Sequence, residues 1–442
     1  GVVGLVAFVT TADNTVLAAA APSIGREIGA GVGGLQWLTL GYLLPFAGLL
    51  PAAGPVLDRW GARRTLAVAL VVFAAGAVLG GCVRDVGWLV AARVVQGLAA
   101  AFLVPGTLSL LRITTDEKRR VLGAALWTAA LAVALAVGPL AGGVLSEYLH
   151  WSWIFFANVP FALAAAALLP LCGSGEVTGR QRAPELASLV AACLALVLLT
   201  FAVTGTGTPW VPWSLAAAGA LAAVFTVRRE RTAAAPLIPR ALRGTGYFTG
   251  GLAVQLLWGV GVSGIVFFTP LVHQETLGLD PVAAALPLVA VAGALVLATP
   301  LVPRALARFG PRRTVACGLT TVALGLLAVA VAANWPSIPP RLPGLMLAGA
   351  GSAFTVPLTS SALDEVPGEH AGTASALLTA SREVSSALGV VVIGVVLTSW
   401  PGDGYVAGLV VAAAAELCAA WLALRVFRPS LSPRHHSPSP MR

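Results

Sequence analysis

A carboxylate at Asp13, a guanidinium at Arg93, a carboxamide at Gln96 and a second carboxylate at Glu383 all fall inside long apolar runs. Charge in such a setting is costly unless it meets water, a counter-ion or a polar neighbour, so each invites a functional reading. Asp13 sits about halfway along the first run, where a carboxyl can take up and release a proton. It could couple proton entry to release of a cationic substrate, or it could simply hydrogen-bond a neighbouring helix. Arg93 carries Gln96 and Gly97 on its own helical face at i+3 and i+4. Asp13 is its obvious partner if the first and fourth helices pack, so that a proton on the acid frees the guanidinium; a structural salt bridge is the alternative. Arg382 and Glu383 project about 100° apart on a helix, and we expect them to need separate partners. Glu383 is either a second proton or cation site or part of an interface near the inner end. Glu416 is expected to be structural or to edge a cavity.

The five cysteines lie in or beside apolar runs with no CxxC or His/Cys spacing, which reads as packing rather than disulfides or metal. HExxH, GxSxG, paired catalytic carboxylates and a phosphate-binding glycine loop are all missing from the sequence, so neither an enzyme nor a cofactor is expected.

The elements that must hold these residues are membrane helices. Of 442 residues, 58% are hydrophobic and only 10% charged, a balance that a water-facing surface cannot sustain. Fourteen apolar stretches have the length of a membrane-crossing helix, among them 34–56, 65–83, 186–203, 211–227, 282–302 and 314–333. Period-2 alternation is absent, which excludes a barrel. With a cytoplasmic N-terminus, 22 of the 27 basic residues fall in inner loops and the tail, against Arg26, Arg84 and Arg341 outside. That asymmetry orients both termini to the cytoplasm. It also accounts for the net charge of +9 through lipid headgroups, without nucleic acid. The apolar start at Gly1 has no basic leader, and Asp13 argues against a cleaved signal; a truncated start is expected. Trp151, Trp153 and Trp400 read as interfacial anchors.

One segment repeats. Asp58-Arg-Trp-Gly-Ala-Arg-Arg-Thr65 returns as Ala307-Arg-Phe-Gly-Pro-Arg-Arg-Thr314, 249 residues on. Each copy reads as a short basic loop between two apolar runs, and a duplicated membrane unit is typical of transporters. Six helices and their loops need about 180–200 residues, so the longer offset makes room for an inserted pair. The expected layout is a six-helix bundle at 1–172, an inserted pair with its loops at 173–246, a second bundle at 247–427 and a disordered tail at 428–442.

Several stretches, in this order, resemble the major facilitator superfamily, and specifically its fourteen-helix drug:proton antiporter branch. Gly54-Pro-Val-Leu-Asp58-Arg59-Trp-Gly61-Ala-Arg63-Arg64 is similar to the loop 2–3 signature, with 303–313 as a degenerate copy ending in Arg312 and Arg313. Leu89 to Gly97 resembles the fourth-helix signature, and Gly138-Pro139-Leu-Ala-Gly142-Gly143 the fifth-helix antiporter signature. Ala12 to Val16 with Ala21-Pro22, Trp151 to Pro160, and Glu230-Arg231 with Pro236-Leu237 complete the match. Four positions depart from it: Ala307 where the first copy has Asp58, Ala134 where the pattern opens with Gly, Ser152 where Arg is usual, and Glu383 where Gln is usual.

The resemblance implies an all-α fold of two six-helix bundles related by a pseudo-twofold axis, plus two inserted helices. It implies proton-driven export of a small amphipathic compound, such as a drug or antibiotic, by a protein of the plasma membrane, expected to be monomeric. Arg93 would relay protons. Asp58, Arg59, Arg63 and Arg64 would form a cytoplasmic latch, asymmetric because Ala307 lacks the acid, although a plain topology signal explains the arginines equally. Gly138, Pro139, Gly142 and Gly143 would tie the fifth helix to antiport, or merely let helices pack closely. Import of a metabolite by the same fold is the competing reading.

Overall fold

The computed structural model describes residues 1–113, 117–172, 186–204, 210–233, 236–243, 246–363, 366, 370–400 and 402–426. The tail expected to be disordered and the loop 173–185 lie outside these residues. Among the described residues every regular element is helical.

Among the described residues, fourteen helical segments have membrane-crossing length, two of them broken into shorter pieces. We number them α1 Val2–Ile28, α2 Val32–Trp60, α3 Ala62–Cys82, α4 Val86–Ile113 and α5 Glu117–Val144, which ends in a π turn over Leu145–Leu149. The sixth crossing, α6, is broken into Trp153–Phe156 and Asn158–Leu168. The inserted pair is α7 Leu186–Thr204 and α8 Trp210–Thr232. The second set is α9 Gly246–Leu277, α10 Pro281–Ala298, α11 Val302–Ala332, α12 (broken into Leu342–Ala353 and Pro357–Leu363), α13 Ala371–Ser399 and α14 Gly404–Val426. By hydropathy alone twelve spans emerge, because Pro281–Ala332 is one apolar stretch of 52 residues. It folds back at Gly310, whose φ is +73°. Helix α8 is not among those twelve.

Gly310 explains the repeated octet. Neither copy is a loop, as the sequence reading had it. Helix α2 runs through Trp60 and α3 begins at Ala62, so the whole turn is Gly61, at φ +81°. In the second copy the helix likewise continues through Phe309 and reverses at Gly310. Only glycine enters that backbone region without strain. The threonine closing each octet folds its hydroxyl back onto the turn: Thr65 donates to the Gly61 carbonyl at 3.0 Å and Thr314 to the Gly310 carbonyl at 2.8 Å. The sequence repeat is thus a repeat of backbone geometry.

Packing follows the same symmetry. Helix α1 lies on α5 as α9 lies on α13, α2 on α4 as α10 on α12, and α3 on α4 as α11 on α12. Between the sets, α2 meets α13 and α5 meets α10. Without a hydrophobic drive between helices in lipid, such contacts rest on close backbone approach. The continuous core joins both sets only toward the end away from the Gly61 and Gly310 turns. There Leu35, Leu38 and Ile24 share a cluster with Phe268, Leu271, Val391 and Leu409. Toward the turn end the second set has its own separate clusters, around Leu242 and Phe248 and around Ala298 and Val302. The two sets therefore touch at one end and part at the other.

Helix α7 lies outside the α2–α13 seam. Trp37 of α2 stacks on Phe201 with ring centroids 3.8 Å apart and donates to the Thr204 hydroxyl at 3.2 Å. Helix α8 packs on α7 and presents Trp213 and Leu221 outward. A Cβ at Gly48 would stand 3.5 Å from the Cβ of Cys193 on α7, inside the range that a disulfide spans. Gly48→Cys should therefore cross-link to Cys193 under mild oxidation, read as a linked peptide by mass spectrometry; failure to link would refute this seating of the inserted pair.

Candidate functional site

Asp13, Arg93 and Gln96, three of the polar residues that sequence singled out, converge inside the first helix set. Arg93 of α4 is fully buried and Asp13 of α1 is 5% exposed. They form an ion pair in which the Nη1 of Arg93 donates to Oδ2 of Asp13. The same nitrogen donates to Oε1 of Gln96 at 3.0 Å, Nη2 donates to Oδ1 of Asn14 at 2.9 Å, and Nε to the Leu38 carbonyl at 3.0 Å. Across its face the guanidinium lies over the Tyr42 ring, 4.6 Å from the centroid. Asp13 is equally well held: its Oδ1 accepts from Nε2 of Gln96 at 3.1 Å and from Nδ2 of Asn158 at 2.6 Å. A buried pair is tolerable only when such bonds satisfy the remaining donors and lone pairs. Here four helices, α1, α2, α4 and α6, supply them.

Local sequence explains how these side chains meet. Gly97 lets α4 lie against α2, since a Cβ there would strike the Tyr42 carbonyl. That approach brings the Leu38 carbonyl to Arg93. In α6, Asn158 stands at the break between its two pieces. Sequence reasoning quoted Asn158, Asn14 and Tyr42 within motifs or apolar runs without giving them roles. The available signal was an amide in the middle of an apolar helix.

Asn14 connects this network to a cavity of about 370 Å³ between the two sets, lined also by Thr10, Thr11, Trp127, Trp258, Arg382 and Glu383. Its wall reaches Val6, Thr107 and Trp127 toward the turn end. At the opposite end the sets are stitched together. Gln36 donates to the Val390 carbonyl at 2.8 Å, Gln274 to the Ala19 carbonyl at 3.1 Å, and the Val282 amide to Glu147 at 3.1 Å.

Glu383 thus borders the cavity rather than the turns, and one expectation about it fails. Arg382 and Glu383 do not find separate partners. The longer Arg382 side chain folds back so that Nη2 and Nε reach Oε1 of Glu383 at 3.0 and 3.2 Å. The flexible stem of arginine overrides the 100° offset of the two backbones. Trp151 also departs from its reading as a membrane anchor. It is 2% exposed and donates to Glu27 at 2.7 Å, whereas Trp153 and Trp400 do face outward.

Residues Gly138 to Gly143 form the surface on which α5 meets α1. Cβ atoms at Gly138 and Gly142 would strike Thr15 and the Val16 carbonyl, and one at Gly143 would come 2.8 Å from the Pro281 carbonyl of α10. Thr15 donates to the Ala134 carbonyl at 3.2 Å, so alanine in place of the usual glycine leaves that contact intact. Gly54 and Asp58 lie in the last turns of α2, half-buried; Arg59 and Arg64 are exposed and Arg63 half-buried beside Gly61. Arg312 and Arg313 flank Gly310 in the same way.

A fourteen-helix architecture with a central cavity and a buried charged network defines a membrane transporter, and comparison with known proteins agrees. The family model described as Major Facilitator Superfamily matches residues 3–390 and 289–441. The chain is 31% identical over 402 residues, 88% of its length and 74% of the relative's, to a "Tetracenomycin C resistance and export protein" of Streptomyces glaucescens. It is 33% identical over 401 residues to a puromycin resistance protein of Streptomyces alboniger, covering 87% of this chain and 78% of the relative. Among solved structures, the crystal structure of a D-xylose–proton symporter aligns with a TM-score of 0.72 at 16% identity over 97% of both chains, a likeness of fold. The chain belongs to the Major Facilitator Superfamily. It is therefore a multi-pass transporter of the plasma membrane rather than an enzyme.

Three substitutions test the geometry. Asn158→Leu, which removes a donor to a buried carboxylate, should cost about 1.5–3 kcal/mol, read as a lower melting temperature in detergent. Gly142→Val should destabilise by about 1–3 kcal/mol by driving α5 off α1, while Gly293→Ala, in open space, should be neutral or slightly stabilising.

Proposed function

We propose that this protein exports a small amphipathic organic compound, preferably a cation such as a drug or antibiotic, in exchange for protons by alternating access. The observation that carries this reading is Asp13. Its carboxylate is held by Arg93, Gln96 and Asn158, and through Arg93 the network reaches Asn14 in the cavity wall. A proton on Asp13 removes the charge that holds Arg93 and leaves its guanidinium to find other acceptors. Because Arg93 bonds α1 and α2 at once, a change at the acid is felt at the cavity and in helix packing. Two relatives are named for resistance, one of them also for export, and a third is a "Multidrug efflux pump" of Mycolicibacterium smegmatis, 30% identical over 401 residues.

The turn end is taken as cytoplasmic, since the inner arginines cluster there. The separated clusters at that end and the stitched contacts opposite then describe an inward-facing state. On this reading Asp58, Arg59, Arg63 and Arg64 latch the two bundles at 1–172 and 247–427 when the cavity turns outward, with Arg312 and Arg313 as the weaker copy. Residues 173–246 form an accessory pair. The acid Glu383 and the aromatic rings of Trp127 and Trp258 in the cavity wall suit a lipophilic cation.

The test is proton-driven transport of ethidium, a lipophilic cation, in proteoliposomes of the full chain. Asp13→Asn should reduce ΔpH-driven ethidium export at least tenfold while downhill exchange persists. Export in the mutant at the wild-type rate would sink the coupling role. Movement of ethidium in the same direction as protons would favour an importer of the same fold.

A further inference from the structure

Glu416 of α14 is fully buried, and neither of its carboxyl oxygens has a hydrogen-bond partner among the described residues. It faces α9 at Gly261, where any Cβ would collide with Oε1. A bare glycine opposite a carboxyl leaves room for the acid and offers it nothing. The ionisable groups on the helices packed against it are all engaged or remote. On α13, Arg382 and Glu383 pair with each other at the cavity wall. On α9, His273 and Glu275 lie twelve and fourteen residues beyond Gly261 and Tyr247 fourteen before it, each roughly 18 Å or more along the helix. On α11, Arg312 and Arg313 sit beside the Gly310 turn, and Cys317 faces outward. On α14 itself, Tyr405 bonds Thr269 three turns away, Cys418 is exposed, and Arg425 lies over Trp421.

A second orphaned group stands nearby. The indole Nε1 of Trp258 is also buried without a partner among the described residues. Trp258 lies three residues before Gly261, on the neighbouring part of the same face of α9. Its ring lines the cavity and also packs on the cluster containing Ala419 and Ala420, one turn along α14 from Glu416. The indole therefore borders the cavity on one side and the α9–α14 packing beside the acid on the other. An isolated carboxyl buried without a cation or donor keeps its proton, because the charged form would cost far more than the neutral one. An acid that contributes no bond, behind a ring that also lacks one, is a poor structural device.

We propose that Glu416 is a second proton-binding site, in the C-terminal helix set, which exchanges its proton with the cavity when the Trp258 indole swings aside. The step is a proton transfer alone. The carboxyl O–H gives its proton to cavity water, and the carboxylate left behind accepts the N–H of the reoriented indole until it is reprotonated. This inference rests on the antiport reading and adds to it a proton carried by the set that lacks Asp13 and Arg93.

The experiment combines infrared difference spectroscopy with transport. In purified full-length protein at neutral pH, a protonated-carboxyl band should be present in the wild type and in Asp13→Asn, and missing in Glu416→Gln. In proteoliposomes, Glu416→Gln should lower ΔpH-driven ethidium transport at least fivefold and keep downhill exchange, with part of the coupling restored in Glu416→Asp. Glu416→Leu should raise thermal stability while abolishing the coupled rate, which a structural acid would not do. Absence of the band, or a Glu416→Gln protein with wild-type ΔpH dependence, overturns the assignment. A wild type that moves no ethidium against its gradient instead overturns the export reading, and the infrared arm alone then decides the state of Glu416.

Discussion

A buried carboxylate cannot stand alone in a membrane, and most of the first helix set can be understood as the answer to Asp13. Its charge demands Arg93, and Arg93 in turn demands acceptors for a planar fork of donors. Those acceptors come from α1, α2 and α4 as Asp13, Asn14, Leu38 and Gln96, while α6 supplies Asn158 to the acid. Satisfying one pair thus fixes the relative placement of four helices. Gly97 is part of the same requirement, because α4 must lie flush on α2 for the Leu38 carbonyl to reach the guanidinium. A lysine could keep the charge at position 93 but not the geometry.

The second helix set has the same topology without that pair. Its ionisable groups are distributed differently: Glu383 with Arg382 at the cavity wall, and Glu416 between α14 and α9, unpartnered among the described residues. Symmetry of packing therefore coexists with asymmetry of charge. The repeated octet shows this division in small. Gly61 and Gly310 preserve the turn and Thr65 and Thr314 preserve its brace, while Asp58 and Ala307 differ. Backbone requirements are met in both copies, and chemistry is left to one.

Much of this was legible in the sequence, and for clear reasons. Length and apolarity mark a membrane helix wherever it lies, so the fourteen crossings could be placed along the chain, with their ends shifted by a few residues. The pairing of Asp13 with Arg93 was accessible because unpaired charges at similar depth must seek one another. What escaped depended on side-chain reach and on helix breaks. The fold-back of Arg382 onto Glu383 uses the flexibility of a long stem, which backbone spacing does not encode. Trp151 was misjudged because a tryptophan near a helix end suits a membrane interface and a packed ring bonded to a carboxylate such as Glu27 equally well. Asn158 went unassigned because nothing in a single sequence says which face of a broken helix turns inward.

The closed end of the molecule is joined largely through main-chain atoms. Gln36 and Gln274 reach the carbonyls of Val390 and Ala19, and Glu147 receives the amide of Val282. Each such bond specifies a side chain on one partner only, because every residue type offers a carbonyl and all but proline an amide. Val390, Ala19 and Val282 are therefore free to drift among small apolar residues without loosening the closure. Bonds of this kind also need no matched pair of charges to be separated when the closure parts. Such a seam is easy to inherit and easy to open, and it lets substrate preference diverge in the cavity while the moving parts stay interchangeable.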